Sequence, residues 1–497
     1  MAELQRALDH AQSYTEWEQL GRELDALTGL DLWKIDNASP DYNYPLIQER
    51  LGSLRSLMVS GRVLPLMRSL REGLHHDLGN MGNPVLYGYA RVGTKKLIED
   101  YVEQVCLALN RVCDEPAESL SYHDKLKFFD ETAKSFGQPA LMLSGGATLG
   151  LFHIGVCKAL HEQGLLPKVI SGSSAGAIMA AMVGTHTDAE LEAMYGGDGW
   201  YSEAWRFNGL MNGMAGKGFF DQHQLETFLR RNIGEYSFEE AFARTGRHVN
   251  VTVSPVQQHQ KQRLMNELTS PYLLLWSAVL ASCAVPVLFP PVTLTTKDAD
   301  GHYVPYMPMK KWVDGSVKGD LPRQRLARLY NVNYFVAVQV NPHIVPFMES
   351  DRKRLEQRLT SWPRRAVREE LKFHGAGALN FLRSQVTNEA GRQLLDHAYN
   401  IVAQRYYGDI TIGPRYTLDH YRHMLQDPNK DRWHWFRLQG ERATWPKIAM
   451  LRTHSRISQT LADCLERLET QRLRRQGDRH DDTPVTPLSV VRNKRKS

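Results

Sequence analysis

The sequence predicts an α/β protein: a parallel sheet covered by helices, with a helical region before it and a mainly helical region after it. Three observations carry this. Around residues 138–186, short apolar runs closed by glycines alternate with helical segments, strand, helix, strand, helix, which is the order of a βαβ array. Further apolar runs follow up to residue 340. Both flanks show the three-to-four-residue apolar spacing of amphipathic helices. The chain has 497 residues, 42% hydrophobic and 23% charged, which excludes a disordered, collagen-like or disulfide-scaffold protein.

Residues 1–137 read as a helical N-terminal accessory domain. In TKKLIEDYVEQVCLAL, Leu97, Ile98, Tyr101, Val102, Val105 and Leu109 fall on one helix face, while Pro84 and Gly93 break the chain before it. The α/β domain covers 138–345. Here ALMLSGG is a strand closed by glycines, LFHIGVCKALHEQ a helix stopped at Gly164, KVISG a second strand and AGAIMAAMV a second helix. HVNVTVSP alternates at Val249, Val251 and Val253, KKWVD ends in Asp314, and NYFVAVQV is apolar nearly throughout, as a strand covered on both faces should be. Residues 346–470 form a mainly helical C-terminal region that contains an island, YYGDITIGP, and the aromatic-basic stretch DRWHWFRLQGERATWP. Residues 471–497 read as a disordered basic tail, with eight Lys/Arg against three Asp. That tail accounts for most of the net charge of +6; the remaining 53 basic and 52 acidic residues nearly cancel, so no nucleic-acid partner is expected.

GSSAG at residues 172–176 fits G-x-S-x-G and lies between a strand and a helix. A serine forced onto so tight a turn projects its hydroxyl, and only small neighbours let the two arms approach. Ser174 is the candidate nucleophile. One strand and one helix upstream, SGGATLG joins strand to helix again; amides at a helix start suit an anion. As a dinucleotide fingerprint the turn has poor spacing and no acid about twenty residues on, and it lacks the Lys-Ser/Thr of a P-loop. As an oxyanion hole the amides of Gly145 and Gly146 fit. For a base, His153 lies in the helix after the glycine turn, where a packed or capping histidine is the plainer reading. Asp314 follows a strand end and precedes Gly315, a turn that presents a carboxylate where parallel strands end. Asp320 is the alternative, though Leu321 and Pro322 after it suit a helix cap.

Taken together, GGATLG, HIGV, GSSAG, ASCAVPVLFPPV and the Asp314-Gly315 pair resemble the patatin-like lipid acyl hydrolases. LHHDLGNMGNPVLYGYARVGTKKLIEDYVEQV, GDITIGP and ERATWPKI extend the resemblance, over roughly residues 10–455, to the subfamily of yeast lipid-droplet and plant seed-oil triacylglycerol lipases. The resemblance implies a three-layer α/β/α fold, a Ser174–Asp314 dyad without histidine, and an oxyanion hole at Gly145, Gly146 and Ala147. It implies a lipid substrate, acylglycerol or phospholipid, at a membrane or lipid-droplet surface, and no cofactor. The chain departs from many patatin phospholipases where Leu149 replaces a basic residue and Ala147 a glycine; the missing charge removes one phosphate partner and favours neutral acylglycerols. Two other functions stay open: a conventional Ser-His-Asp esterase, and a non-catalytic lipid-binding scaffold.

Five scattered cysteines without a CxxC pair read as reduced cytosolic thiols and imply no metal. The first residues lack the apolar run of a signal peptide. The longest apolar stretch, Tyr272 to Val285, is short of the roughly 20 residues of a membrane span. A cytoplasmic, peripherally membrane-associated protein is therefore expected. That apolar stretch reads as core or as the wall of an acyl-chain groove. Trp433, Trp435 and Phe436, flanked by Arg432 and Arg437, read as packing or as lipid-interface contacts, and the basic tail as a solvated segment or one drawn to anionic lipid.

Overall fold

The apolar runs become strands of one sheet. The structure, a computed structural model, describes residues 1–197, 203, 204, 207, 219–257, 260–286, 288–315, 321–341, 408–414 and 429–481. Strands β1 (Gln138–Leu143), β2 (Val169–Gly172), β3 (His248–Pro255), β4 (Arg263–Met265), β7 (Trp312–Asp314), β8 (Val332–Val338) and β9 (Ile410–Ile412) form the main sheet. Its order is β4-β3-β2-β1-β8-β9, with β7 also paired to β3. β5 (Leu294–Lys297) and β6 (Tyr303–Tyr306) make a separate hairpin. The β3-β2-β1-β8-β9 array is parallel, as the strand-helix alternation predicts.

Two details differ from expectation. Alternation in β3 suggests one covered face, yet all of Val249–Pro255 is buried, because helices pack against it. Asn250 is paired within the sheet: the Asn266 side-chain amide donates to Asn250 Oδ1 at 2.9 Å, and Asn250 Nδ2 donates to the His248 carbonyl at 3.1 Å, while the buried Thr252 and Ser254 hydroxyls have no partner among the described residues. Asp314 ends a strand as expected, but β7 runs antiparallel to β3, with Val253 opposite Asp314, instead of continuing the parallel array. Backbone bonds impose this direction: Trp312 exchanges two with Val292, and the Asp314 amide donates to the Ala284 carbonyl at 3.0 Å.

The ITI of the island is strand β9, which extends the sheet beyond β8. Asp409 fixes its approach by accepting the Phe335 amide at 2.7 Å. The aromatic-basic stretch is the helix Lys430–Thr444, which crosses the helix Phe152–Glu162 at two glycines. A side chain on Gly155 would collide with the Arg437 carbonyl, and one on Gly440 with that of Phe152. Trp433 and Phe436 are buried at the 6% level, whereas Trp435 is 42% exposed, so packing accounts for the first two. The run from Tyr272 to Val285 is helical only over Leu275–Cys283, and all nine residues are buried, as a core helix requires.

The chain divides into two compact units. One draws on Met1–Asp36, Asn83–Thr94 and Gly137–Ser455, the other on Asn37–Gly82, Lys95–Phe136 and Arg456–Ser497. The stretch 1–137 thus contributes to both. In the first unit, Leu8, Ala11, Trp17 and Leu24 share a core cluster with Val92, Ala159 and Trp445. In the second, the helix Lys96–Cys113 buries the six apolar positions read from its spacing and packs against the helices Tyr44–Ser60 and Val63–Gly73. The last helix, Ile448–Asp481, reaches eleven residues into the segment read as a tail. All five cysteines are free and buried. No helix among the described residues is long and apolar enough to cross a membrane.

Candidate active site

Glycine geometry builds the serine turn. Ser174 caps the helix Ala175–Thr185 with φ 51 and ψ −122, a backbone region that costs a non-glycine residue about 1–3 kcal/mol and persists only where the surroundings hold it. The surroundings are close. A side chain on Gly172 would collide with the Gly176 carbonyl, and one on Gly176 with the Leu143 carbonyl. Both glycines of GSSAG are therefore fixed by contact between the turn's arms and with β1. The Ser173 amide donates to the Leu143 carbonyl at 3.2 Å, which ties the same turn to β1 a second time.

The other glycine turn lies directly beside it. A Cβ on Gly150 would stand 2.5 Å from that of Ala175, and one on Gly146 would stand 2.7 Å from Val340 Cγ2. Ser144 braces the turn: its hydroxyl donates to the Gly145 carbonyl at 3.0 Å and accepts the Val340 amide at 2.9 Å. Gly146 precedes a short 3-10 helix, Ala147–Leu151. The amides of Gly146 and Ala147 donate to no acceptor among the described residues, as the first donors of a helix do until a ligand or water arrives. Ala147 takes φ 51, left-handed backbone where the family pattern has glycine.

His153 is fully buried. Its Nε2 lies 2.9 Å from the Ser144 carbonyl, an acceptor only, so Nε2 carries a hydrogen. Burial pushes its pKa down to about 4. That nitrogen is committed to the glycine turn, and no histidine among the described residues hydrogen-bonds to Ser174.

The base candidate arrives from the opposite side. Asp314 is 1% exposed. Gly315 after it packs so tightly on β3 that a side chain would collide with the Thr252 carbonyl. Three consecutive residues, Ser282, Cys283 and Ala284, join the two candidates. Ser282 Oγ accepts the Ser174 amide at 3.0 Å and donates to the Thr252 carbonyl at 2.8 Å. Burial first, and then the nearby Asp314 carboxylate, push the Cys283 thiol well above its ordinary pKa, while a hydrogen bond with the Ser174 side chain opposes the shift. The Ala284 carbonyl holds the Asp314 amide. The structure thus brings Ser174, Asp314 and the Gly145–Ala147 turn to one locality. Asp320 lies outside the described residues.

The reading of residues from local pattern missed the 282–284 clip as a functional element. Its signal was the run of small residues in ASCA, which permits close approach from α-helix to turn. For metals, Asp298, Asp300 and His302 gather ligand atoms within 4.8 Å of one another. They sit on an exposed turn where Asp298 Oδ1 already accepts the amides of Asp300 and His302, an arrangement that needs no ion.

A mainly parallel sheet carrying a serine on a strand-to-helix elbow, flanked by a glycine turn and a buried aspartate, defines the protein class. A family model described as patatin-like phospholipase matches residues 141–327, and one described as a domain of unknown function, DUF3336, matches residues 1–134. The chain is 34% identical to triacylglycerol lipase ptl3 of Schizosaccharomyces pombe over 94% of this chain and 98% of that protein. It is 34% identical to triacylglycerol lipase SDP1L of Arabidopsis thaliana and 35% identical to triacylglycerol lipase 4 of Saccharomyces cerevisiae, over 94% and 90% of this chain. It spans 59% and 51% of those two longer proteins. The chain belongs to the patatin-like phospholipase family.

Proposed function

We propose that this chain is a serine lipid acyl hydrolase that cleaves fatty acyl esters by a Ser174–Asp314 dyad. The observation that carries the reading is the clip at residues 282–284, which holds the Ser174 amide through Ser282 and the Asp314 amide through Ala284. Asp314 takes the proton of the Ser174 hydroxyl as its oxygen attacks the acyl carbonyl. The amides of Gly145, Gly146 and Ala147 meet the charge that develops on the carbonyl oxygen, a contribution typically of about 100- to 1,000-fold in turnover per donor. The alcohol leaves with the proton, an acyl-Ser174 ester remains, and a water deprotonated by Asp314 releases the fatty acid. The residues need no cofactor for these steps.

The named relatives are triacylglycerol lipases, and Leu149, buried in the glycine turn, offers no charge to a phosphate. Acylglycerols are therefore the preferred substrates, with phospholipids as the second class, reached from a peripheral position on a lipid-droplet or membrane surface. The commitment of His153 Nε2 to Ser144 favours the dyad over a Ser-His-Asp triad. A panel of triacylglycerol, diacylglycerol, phospholipid and lysophospholipid, with Ser174→Ala as control, tests the reading. Hydrolysis should be greatest on acylglycerols and fall about 10,000-fold or more in the variant. Equal turnover by the variant would refute the dyad, and no turnover by the wild type would favour a lipid-binding scaffold.

A further inference from the structure

Beside β4 a cavity of about 550 Å³ is lined by Lys261, Arg263, Lys310 and Arg325 together with Gln262 and Tyr306. That size suits a small ligand. Among the described residues no carboxylate lines it, and none forms an ion pair with any of the four cations. This is unusual in a chain whose charges nearly balance outside its last residues. The neighbouring Arg323, by contrast, is paired with Asp409 at 2.9 Å. Gathering half-buried guanidinium groups without a counter-charge is unfavourable; burial first, and then the charge of Arg263, lower the pKa of Arg325.

The two arginines are also held in place. Arg263 stacks over the buried Trp312 ring at 5.6 Å, and Arg325 donates to the Gln262 carbonyl. Gln262 in turn donates its side-chain amide to the Gly315 carbonyl at 2.8 Å, one residue from Asp314. Planar forks fixed in this way match the oxygens of a phosphate.

We propose that the cavity formed by Lys261, Arg263, Lys310 and Arg325 binds a phosphate group, free or carried on an anionic lipid headgroup. None of these four side chains is among the residues assigned to ester cleavage, so the test reads anion binding. The test uses the full chain. Inorganic phosphate is titrated by calorimetry against chloride at equal ionic strength, and vesicles of phosphatidylcholine with or without phosphatidate are compared by flotation. Wild type should bind phosphate saturably and melt at a higher temperature in its presence. R263Q/R325Q should bind about tenfold or more weakly, as expected when charge-assisted hydrogen bonds are lost. Retention on phosphatidate vesicles that phosphate competes away and the double variant loses identifies a headgroup; phosphate binding without vesicle preference identifies the free anion. If R263Q/R325Q unfolds, Lys310→Gln carries the comparison. No phosphate-specific binding by wild type, or undiminished binding by the folded variant, overturns the proposal.

Discussion

The Ser282 hydroxyl accepts the backbone amide of Ser174 at 3.0 Å and passes its own hydrogen to the Thr252 carbonyl at 2.8 Å. One buried hydroxyl thereby anchors the strained serine turn to the strand that pairs with Asp314. Ser282→Ala leaves the Ser174 amide and the Thr252 carbonyl unsatisfied, at a cost of about 1–3 kcal/mol each. Turnover should fall about tenfold or more with KM little changed, and Ser282→Thr should restore part of it. Steady-state kinetics on a soluble ester, with melting curves, separate this positioning effect from simple unfolding.

Gly176→Ala should prevent the elbow from forming, because the added methyl meets the Leu143 and Ser144 carbonyls. Loss of several kcal/mol is expected, as for strong overpacking. Gly164→Ala is the comparison: its φ is +64 but its surroundings are open, so it should cost only about 1 kcal/mol. Thermal denaturation of the two variants checks the contrast.

His153 should make stability pH-dependent. Its pKa falls from 6.5 in the unfolded chain to about 4 in the fold, so between those values the unfolded chain binds the extra proton. Stability is full above pH 6.5, declines as pH falls toward 4, and loses about 3 kcal/mol over that window. In His153→Gln that component should vanish while the bond to Ser144 can be kept. Chemical denaturation at several pH values measures it; an identical decline in the variant would contradict the assignment.

Ala147→Gly removes a methyl from left-handed backbone at φ 51. The relief of about 1 kcal/mol is offset in part by the entropy of the unfolded glycine. Melting temperature should hold or rise slightly and turnover should persist, since the amide remains. A loss of activity would show that the Ala147 side chain contributes more than its conformation.

Local features were legible in the sequence, and tertiary ones were not. GSSAG and SGGATLG could be read because glycine, strand end and helix start are neighbours along the chain. The helix Lys96–Cys113 was legible from its spacing alone. The clip at 282–284 was not, because Ser282 reaches Ser174 across 108 positions, and a serine inside an apolar helix reads as a tolerated polar residue. The direction of β7 was hidden for the same reason: three residues carry no sign of parallel or antiparallel pairing, and the choice rests on Ala284 and Val292. Strand β9 was obscured by its brevity, since it gains its stability from β8 and from Asp409.

Covalent labelling of Ser174 by a fluorophosphonate probe tests the proposed dyad most directly, with the modified peptide identified by mass spectrometry. Wild type should be labelled on Ser174, Asp314→Asn should react about 100-fold more slowly or worse, and Ser174→Ala should not react. Labelling at another serine, or an undiminished rate in folded Asp314→Asn, would contradict the account.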